Sequence, residues 1–339
     1  MAILTQQELN QLVSATLSSM RTMTPRDLDA AMKGLADMHK KEISKRGGGT
    51  RTIWVPGIGE KMKLRGFIPA LRATWTRVDT GVAHGCVPMR GPVTCAQQHV
   101  GFDYTLSMDL RGFFDGVRRE QLFWKAAGSH VQLFLGIGDF SDDEVDLMFP
   151  DGAPRQGLPT SPWLANIAAA VHLDPQIQKV LPPWVRYTRY VDDLTFSFNA
   201  GDEELQHMIP EAVRVLVGAC GWTVNEQKTR VQQARHGRRI INGVSVGPEG
   251  ILAPRTTRRR LRAAKHQGNA DQASGLAAWC EMTPPKASKQ TKKLEWERDK
   301  VAVRLGSVQG FQDGMKAYMG AVNALADSEE ADGIYKVPA

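Results

Sequence analysis

The residues best suited to chemistry are two adjacent carboxylates, Asp192 and Asp193, in the run Arg189-Tyr190-Val191-Asp192-Asp193-Leu194-Thr195-Phe196-Ser197-Phe198. Adjacent carboxylates repel one another unless a cation lies between them. Mg²⁺ is the expected ion, because it takes oxygen ligands and also binds substrate phosphates. A third carboxylate, Asp109, ends a separate alternating stretch in which Thr105, Ser107 and Asp109 point one way and Tyr104, Leu106, Met108 and Leu110 the other. Each site alone has an ordinary explanation, as an Asp-rich turn or a strand-end cap. Both together, with basic segments before and after them, suit metal-assisted phosphoryl transfer, in which positioning and charge neutralisation dominate.

Such carboxylates need rigid backbone. Leu194, Phe196 and Phe198 alternate with Thr195 and Ser197, the pattern of a half-buried strand, and Trp184 to Thr188 can form its partner. Asp192 and Asp193 then sit at the tip of a hairpin. Far upstream, Lys45-Arg46-Gly47-Gly48-Gly49-Thr50-Arg51 places a triple-glycine turn between two extended segments. That predicts a hairpin whose basic tip, with Lys45, Arg46 and Arg51, suits a triphosphate or a template backbone. It is not a P-loop, since the GxxxxGK[ST] order is missing. In Arg155-Gln156-Gly157-Leu158-Pro159-Thr160-Ser161-Pro162, Thr160 or Ser161 caps a helix with Pro162 in its first turn. Gln156 and Gly157 lie where a loop at a helix N-terminus can offer N–H groups and an amide to a nucleotide.

The remaining elements follow from periodicity and punctuation. Residues 5–45 read as two helices, the second capped by Thr24 with Pro25 in its first turn. Residues 61–78 read as a helix with Lys61, Lys63, Arg65, Arg72 and Arg77 exposed. The Gly/Pro-rich stretch 84–99 carries His84 and His99, read as structural histidines. Residues 118–150 read as helices and turns, with Asp142-Asp143-Glu144 on a solvated face. An amphipathic helix over 202–219 contains Pro210, where it can kink or break. Then come a short strand at Trp222-Thr223-Val224, a turn from Asn225 to Thr229, and strands Arg239–Ile241 and Val244–Val246. From 254 the composition shifts. Arg255, Arg258, Arg259, Arg260, Arg262 and Lys265 crowd one helix, Pro284 to Lys293 adds positive charge, and Leu294 to Ala324 is mostly helical before a frayed tail at 333–339.

Lys plus Arg outnumber Asp plus Glu by 43 to 36, a formal charge of +7, and the pI is near 9.3. The excess is clustered, which points to a polyanionic partner. The four cysteines, Cys86, Cys95, Cys220 and Cys280, have no metal-ligand spacing and are expected to be reduced. With no leader pattern and no spanning apolar stretch, the expectation is a cytoplasmic protein that does not associate with membranes.

At this point the sequence resembles a known family. Asp109 with Phe113-Phe114, Gln156 to Pro162, Tyr190-Val191-Asp192-Asp193, and Asn225 to Lys228 occur in the order of reverse transcriptase motifs over roughly residues 45–250. Gly48 to Ile53, His84-Gly85, and Asp192 to Ser197 make it similar to bacterial retron reverse transcriptases. Two retron signatures, NAxxH and VTG, are matched only nearly, by Cys95-Ala96-Gln97-Gln98-His99 and Ile241-Asn242-Gly243.

The resemblance implies an α+β right-hand polymerase fold: an N-terminal helical segment (1–45), fingers and an antiparallel palm (46–250), and a basic helical thumb (254–339). It implies that Asp109, Asp192 and Asp193 bind two Mg²⁺ ions and that Lys228 lies near the leaving pyrophosphate. Phe114 takes the steric-gate position selecting dNTPs, Gln156 and Gly157 contact the nucleotide, and Lys45 and Arg51 grip its triphosphate. The six cations of 255–265 face nucleic acid, mostly through phosphate. The implied template is a structured non-coding RNA, primed by the 2′-OH of an internal guanosine. The product is a branched RNA-linked DNA that serves in defence against phage, with any effector protein a separate chain. Other readings are an intron-like or abortive-infection reverse transcriptase and a catalytically silent RNA-binding scaffold. An intron enzyme would usually carry a further maturase or endonuclease segment. A diversity-generating enzyme would depart from the Gln156–Pro162 pattern. Three intact aspartates argue against the scaffold.

Overall fold

The computed structural model describes residues 37–45, 48–124, 131–133 and 139–281. The helices expected over 5–36, Arg46 and Gly47 of the first hairpin, and everything expected beyond 281 lie outside the described residues.

The described chain opens with a hairpin, β1 (His39–Ser44) against β2 (Thr50–Val55), in which Lys45 N–H donates to the Gly49 carbonyl at 2.9 Å. The expected helix over 5–45 is therefore corrected at its end. His39–Ser44 is a strand, because it pairs residue for residue with β2 and alternates its side chains across that ladder. Helix α1 (Ile58–Val78) and the short α2 (Pro92–Gln97) follow.

Strand β3 (Tyr104–Arg111) leads into a small three-stranded sheet of β4 (Phe123–Trp124), β5 (Val131–Leu133) and β6 (Asp139–Phe140). That sheet replaces part of the helical reading of 118–150. Helix α3 (Asp142–Met148) completes the stretch. The acidic run forms its first turn, capped by Ser141, where carboxylates favour the helix dipole. Helix α4 (Ser161–Ala168) starts at Thr160 with Pro162 in its first turn, widens into a π-turn at Ala169–Leu173, and continues as α5 (Asp174–Val180).

Strands β7 (Arg186–Tyr190) and β8 (Asp193–Phe198) form the expected hairpin, with β7 two residues later than Trp184–Thr188 and Asp193 paired with Tyr190 rather than in the turn. Helix α6 (Leu205–Ala219) runs through Pro210 without a break. Strand β9 (Thr223–Gln233) absorbs the turn expected at Asn225–Thr229. Its register against β3 slips, so that Ser107 opposes Arg230 and Asp109 opposes Asn225, and Glu226–Thr229 bulges out of the strand. β10 (Arg239–Ile241), β11 (Val244–Val246) and β12 (Ile251–Leu252) make a third sheet, followed by α7 (Arg255–His266) and α8 (Ala270–Glu281).

The central antiparallel sheet has the order β7-β8-β3-β9. Its apolar face, with Leu106, Met108, Leu110, Leu194, Phe196 and Phe198, packs with Leu71 and Trp75 of α1, Leu164 and Ile167 of α4 and Val213 of α6. Each such large side chain contributes about 1.5–3 kcal/mol. β8 is buried on both faces rather than half-buried as expected. Its polar face is covered because His99 bonds Ser197 (2.9 Å) and Thr188 (2.7 Å), while Arg239 bonds Thr105 (2.9 Å) and the His99 carbonyl (2.9 Å). The hydroxyls of Thr105, Thr188 and Ser197 thus lie inside because each has a partner.

Candidate active site

β3 is central in its sheet, so Asp109 has a neighbour on each side. Across one ladder it lies opposite Asp193 of β8, and across the other opposite Asn225 of β9. The Asn225 amide donates to Asp109 Oδ2 at 3.1 Å and the Lys228 ammonium to Oδ1 at 2.7 Å. The bulge is what brings Lys228 back to Asp109. A regular strand would have carried it three pairs further along the ladder, opposite Leu106.

Asp192 occupies the two-residue turn between β7 and β8, and its carbonyl accepts from Leu110 N–H at 2.9 Å. The other turn residue, Val191, has φ of 59°. Tight hairpins with one left-handed position there favour glycine, and a β-branched residue in that region costs about 1–3 kcal/mol. The surroundings hold it. A Cβ on Gly85 would lie 2.5 Å from Val191 Cγ2, so only glycine lets residue 85 back the turn.

Burial first, then Asp192 and Asp109, push the Asp193 carboxyl up to about 6. Burial, then Asp109, also raises Asp192. The hydrogen bond to Asp109 raises Lys228. Three carboxylates are thus crowded in a half-buried place with one ammonium among them.

A cleft of about 740 Å³ joins Asp192, Asn225 and Lys228 to Lys45, Arg51 and Gln156. Asp109, itself buried, meets that cleft through Asn225 and Lys228. Phe114 and Gly157 are not among the residues lining it. The Phe114 ring packs 5.8 Å from that of Phe113. Gly157, at φ of 107°, lies against β2, where a Cβ would come within 2.2 Å of the Trp54 carbonyl oxygen. Trp54 N–H in turn donates to the Gln156 carbonyl at 2.7 Å. Arg255, Arg258, Arg259, Arg260, Arg262 and Lys265 lie exposed along α7, outside the cleft.

Residues 43–258 match the reverse transcriptase (RNA-dependent DNA polymerase) family. The chain belongs to that family. It is 36% identical over 241 residues to the retron Mx65 reverse transcriptase of Myxococcus xanthus, covering 66% of this chain and 54% of that one. It is 31% identical to the retron Mx162 reverse transcriptase of the same organism, covering 72% and 57%. The chain thus spans about half the length of these curated relatives. Among solved structures, telomerase from Candida tropicalis with a fragment of telomeric RNA superposes at a TM-score of 0.42 and 14% identity, over 63% of this chain and 44% of that one.

The likeness to retron reverse transcriptases read from the motifs is thus borne out. The two signatures that match only nearly touch each other. Asn242, at φ of 47° in the β10–β11 turn with Gly243, donates to Cys95 Sγ at 3.2 Å. Cys95 in turn bonds Thr188 of β7 at 3.2 Å.

The site's donor set suits a hard divalent cation, since the oxygens of Asp109, Asp192 and Asp193 are what Mg²⁺ takes. Among the described residues, no three His, Cys, Asp or Glu side chains already converge on one point. Lys228 supplies the positive charge at Asp109 instead. Two further cations line the cleft that sequence reasoning missed. Lys40 pairs with Asp151 (2.9 Å) and lies over the Trp54 ring, and Arg155 pairs with Asp115 (2.6 Å). Lys40 was hidden by the helical reading of its segment. Arg155 directly precedes Gln156, and that adjacency was its only signal. No described helix is long and apolar enough to cross a membrane.

Proposed function

We propose that this reverse transcriptase is an RNA-directed DNA polymerase that copies a structured non-coding RNA and begins from an RNA 2′-OH. The observation that carries the proposal is the cross-strand pair Asp109 and Asp193, with Asp192 in the adjoining turn, beside a cleft lined by Lys45, Arg51 and Gln156. In this reading the four-stranded sheet is the palm, the first hairpin and α1 belong to the fingers, and α7 and α8 begin the thumb.

Asp109, Asp192 and Asp193 would hold two Mg²⁺ ions, which when bound lower the pKa of the attacking hydroxyl and stabilise the leaving pyrophosphate. Lys45 and Arg51 would bind the triphosphate as point charge and fork, and Lys228 would stand near the departing pyrophosphate. Gln156 would bond the nucleotide. Gly157 would act by letting the Gln156 loop dock on β2. Phe114 would exclude a 2′-OH, so that the substrates are dNTPs. The cations of α7 would hold template and product through phosphate. By likeness to the retron enzymes, the product would be a branched RNA-linked DNA and the setting phage defence.

The test is the nucleic acid that copurifies with the protein from its native context. A single short DNA whose gel mobility shifts with RNase and again with a debranching enzyme supports the full reading. Extension of a primed RNA with dNTPs, without such a DNA, keeps the polymerase and removes the retron product. Asp192→Asn should reduce synthesis by about a thousandfold and leave RNA binding intact. Full activity in that variant would overturn the metal assignment.

A further inference from the structure

Arg189 and Asp174 are both fully buried and paired at 2.8 Å, yet neither lines the cleft. We infer that this pair, with Asn166 and Tyr187, is a positioning device for the two turn carboxylates, an inference that rests on the polymerase reading above.

A buried ion pair is weak evidence of stabilisation, because packed apolar side chains often serve equally well. Its particular capacity is to fix geometry, and here the network it anchors reaches the turn at two places, the Val191 carbonyl and Gly85. Arg189 Nε and Nη2 donate to the two oxygens of Asp174, at 2.9 and 2.8 Å. Tyr187 OH donates to Asp174 Oδ1 at 2.9 Å. Arg189 Nη1 donates to Asn166 Oδ1 at 2.9 Å and to the Val191 carbonyl at 3.2 Å. That carbonyl belongs to the peptide bond joining the strained Val191 to Asp192. The far end of Asn166 donates from Nδ2 to the Gly85 carbonyl at 2.9 Å, and Gly85 is the residue that backs Val191. The Arg189 backbone is fastened as well, its N–H to the Val82 carbonyl (2.8 Å) and its carbonyl to His84 N–H (2.7 Å). The guanidinium therefore ties α4, α5, β7 and the 82–85 segment to the turn.

The helix between the two acceptors is shaped for this. Asn166 and Asp174 are eight residues apart, and in a regular α-helix they would point about 80° apart. The π-turn at Ala169–Leu173 lies between them and rotates less per residue, taking up the difference, so both side chains meet one guanidinium. Such wide turns recur at functional sites.

The test uses the full chain and two variants, Asn166→Leu, which removes the bonds to Arg189 and Gly85, and Tyr187→Phe, which removes one hydroxyl. Three quantities are read: melting temperature, Mn²⁺ binding followed by electron paramagnetic resonance, and steady-state dNTP incorporation on a primed RNA. In Asn166→Leu, Mn²⁺ affinity and kcat should each fall about tenfold, while KM for dNTP stays within about twofold, because the triphosphate residues lie on another element. Raising Mn²⁺ should recover much of the rate, which a general loss of stability would not allow. Tyr187→Phe should move the same quantities the same way by a smaller factor. Folded variants that bind Mn²⁺ as the parent does would overturn the inference, as would a parent that binds none. If Asn166→Leu does not fold, Tyr187→Phe decides. If the parent incorporates no dNTP, the polymerase reading fails, and the Mn²⁺ comparison still decides the positioning role.

Discussion

Lys228 holds a charged hydrogen bond to Asp109 from the far side of a strand bulge. Replacing it with Met leaves a buried carboxylate without its cation. We expect DNA synthesis to slow by about a hundredfold or more. Added Mg²⁺ should raise the melting temperature more in Lys228→Met than in the parent, since the ion then has no internal rival. Calorimetry with and without Mg²⁺ checks this. Gly85→Ala should be as damaging from the other side of the turn, because its Cβ would meet Val191 N at 2.6 Å. A displacement of about 1 Å at reacting groups costs roughly a hundredfold in rate, so synthesis should fall that far while RNA binding persists. The three aspartates were legible in the sequence because strand alternation and adjacency expose them. The Arg189–Asp174 pair was not, since nothing in a linear sequence marks which two charges will be buried together. The resemblance singled out Lys228, but its own segment read as a plain turn, for the bulge that gives it a partner at Asp109 depends on the register of a strand more than a hundred residues away.

The β1–β2 hairpin carries Lys45 and Arg51 into the cleft, and its junction with Gly157 holds it there through the Trp54–Gln156 bond. Gly157→Ala must push Trp54 away while also straining φ. The expected result is a KM for dNTP raised about tenfold, with a smaller change in kcat, read from steady-state incorporation. At this scale the sequence was readable wherever an element had a long period or clear punctuation. α1, α4, α6, α7 and the β7–β8 hairpin stand where spacing and caps put them. Strands β4 and β6 have two residues each, too few to display a period, and so were lost among helices and turns. β1 was taken into a helix because Lys40-Lys41-Glu42 has no apolar alternation. Its strand identity comes from pairing with β2. The Asn225–Thr229 segment has turn composition, and the bulge is where it shows: Asn225 and Arg230 pair with β3 while Glu226–Thr229 between them do not.

Over the whole molecule, charge and burial set the response to solution conditions. Burial, then Arg239, pushes His99 down to about 3, and burial, then Arg90, pushes His84 down to about 4, from an ordinary 6.5. Below pH 6.5 the unfolded chain takes protons these histidines refuse, so stability falls with pH from about 6.5 toward 4. The loss is about 1 kcal/mol per pH unit for each. Asp193, with its raised carboxyl, offsets one such share below about 6. Urea midpoints at pH 7.5 and 5 should show the loss, and His99→Gln should flatten it. The exposed cations of α7 govern a different response. Replacing Arg259 and Arg262 with Ala should weaken RNA binding uniformly across sequences and reduce its salt slope by about one for each. The sequence made this cluster plain by composition alone. The central place of β3 has one more consequence. Its partners are residues 193–198 on one side and 223–233 on the other, so a growing chain on the ribosome carries Asp109 long before either neighbour exists. Until the last of them emerges, β3 has a bare edge that another chain could pair with. Such distant pairings also make folding slow. Competence therefore arrives late and all at once, and a translation product cut short before residue 223 is expected to aggregate rather than to work at reduced rate.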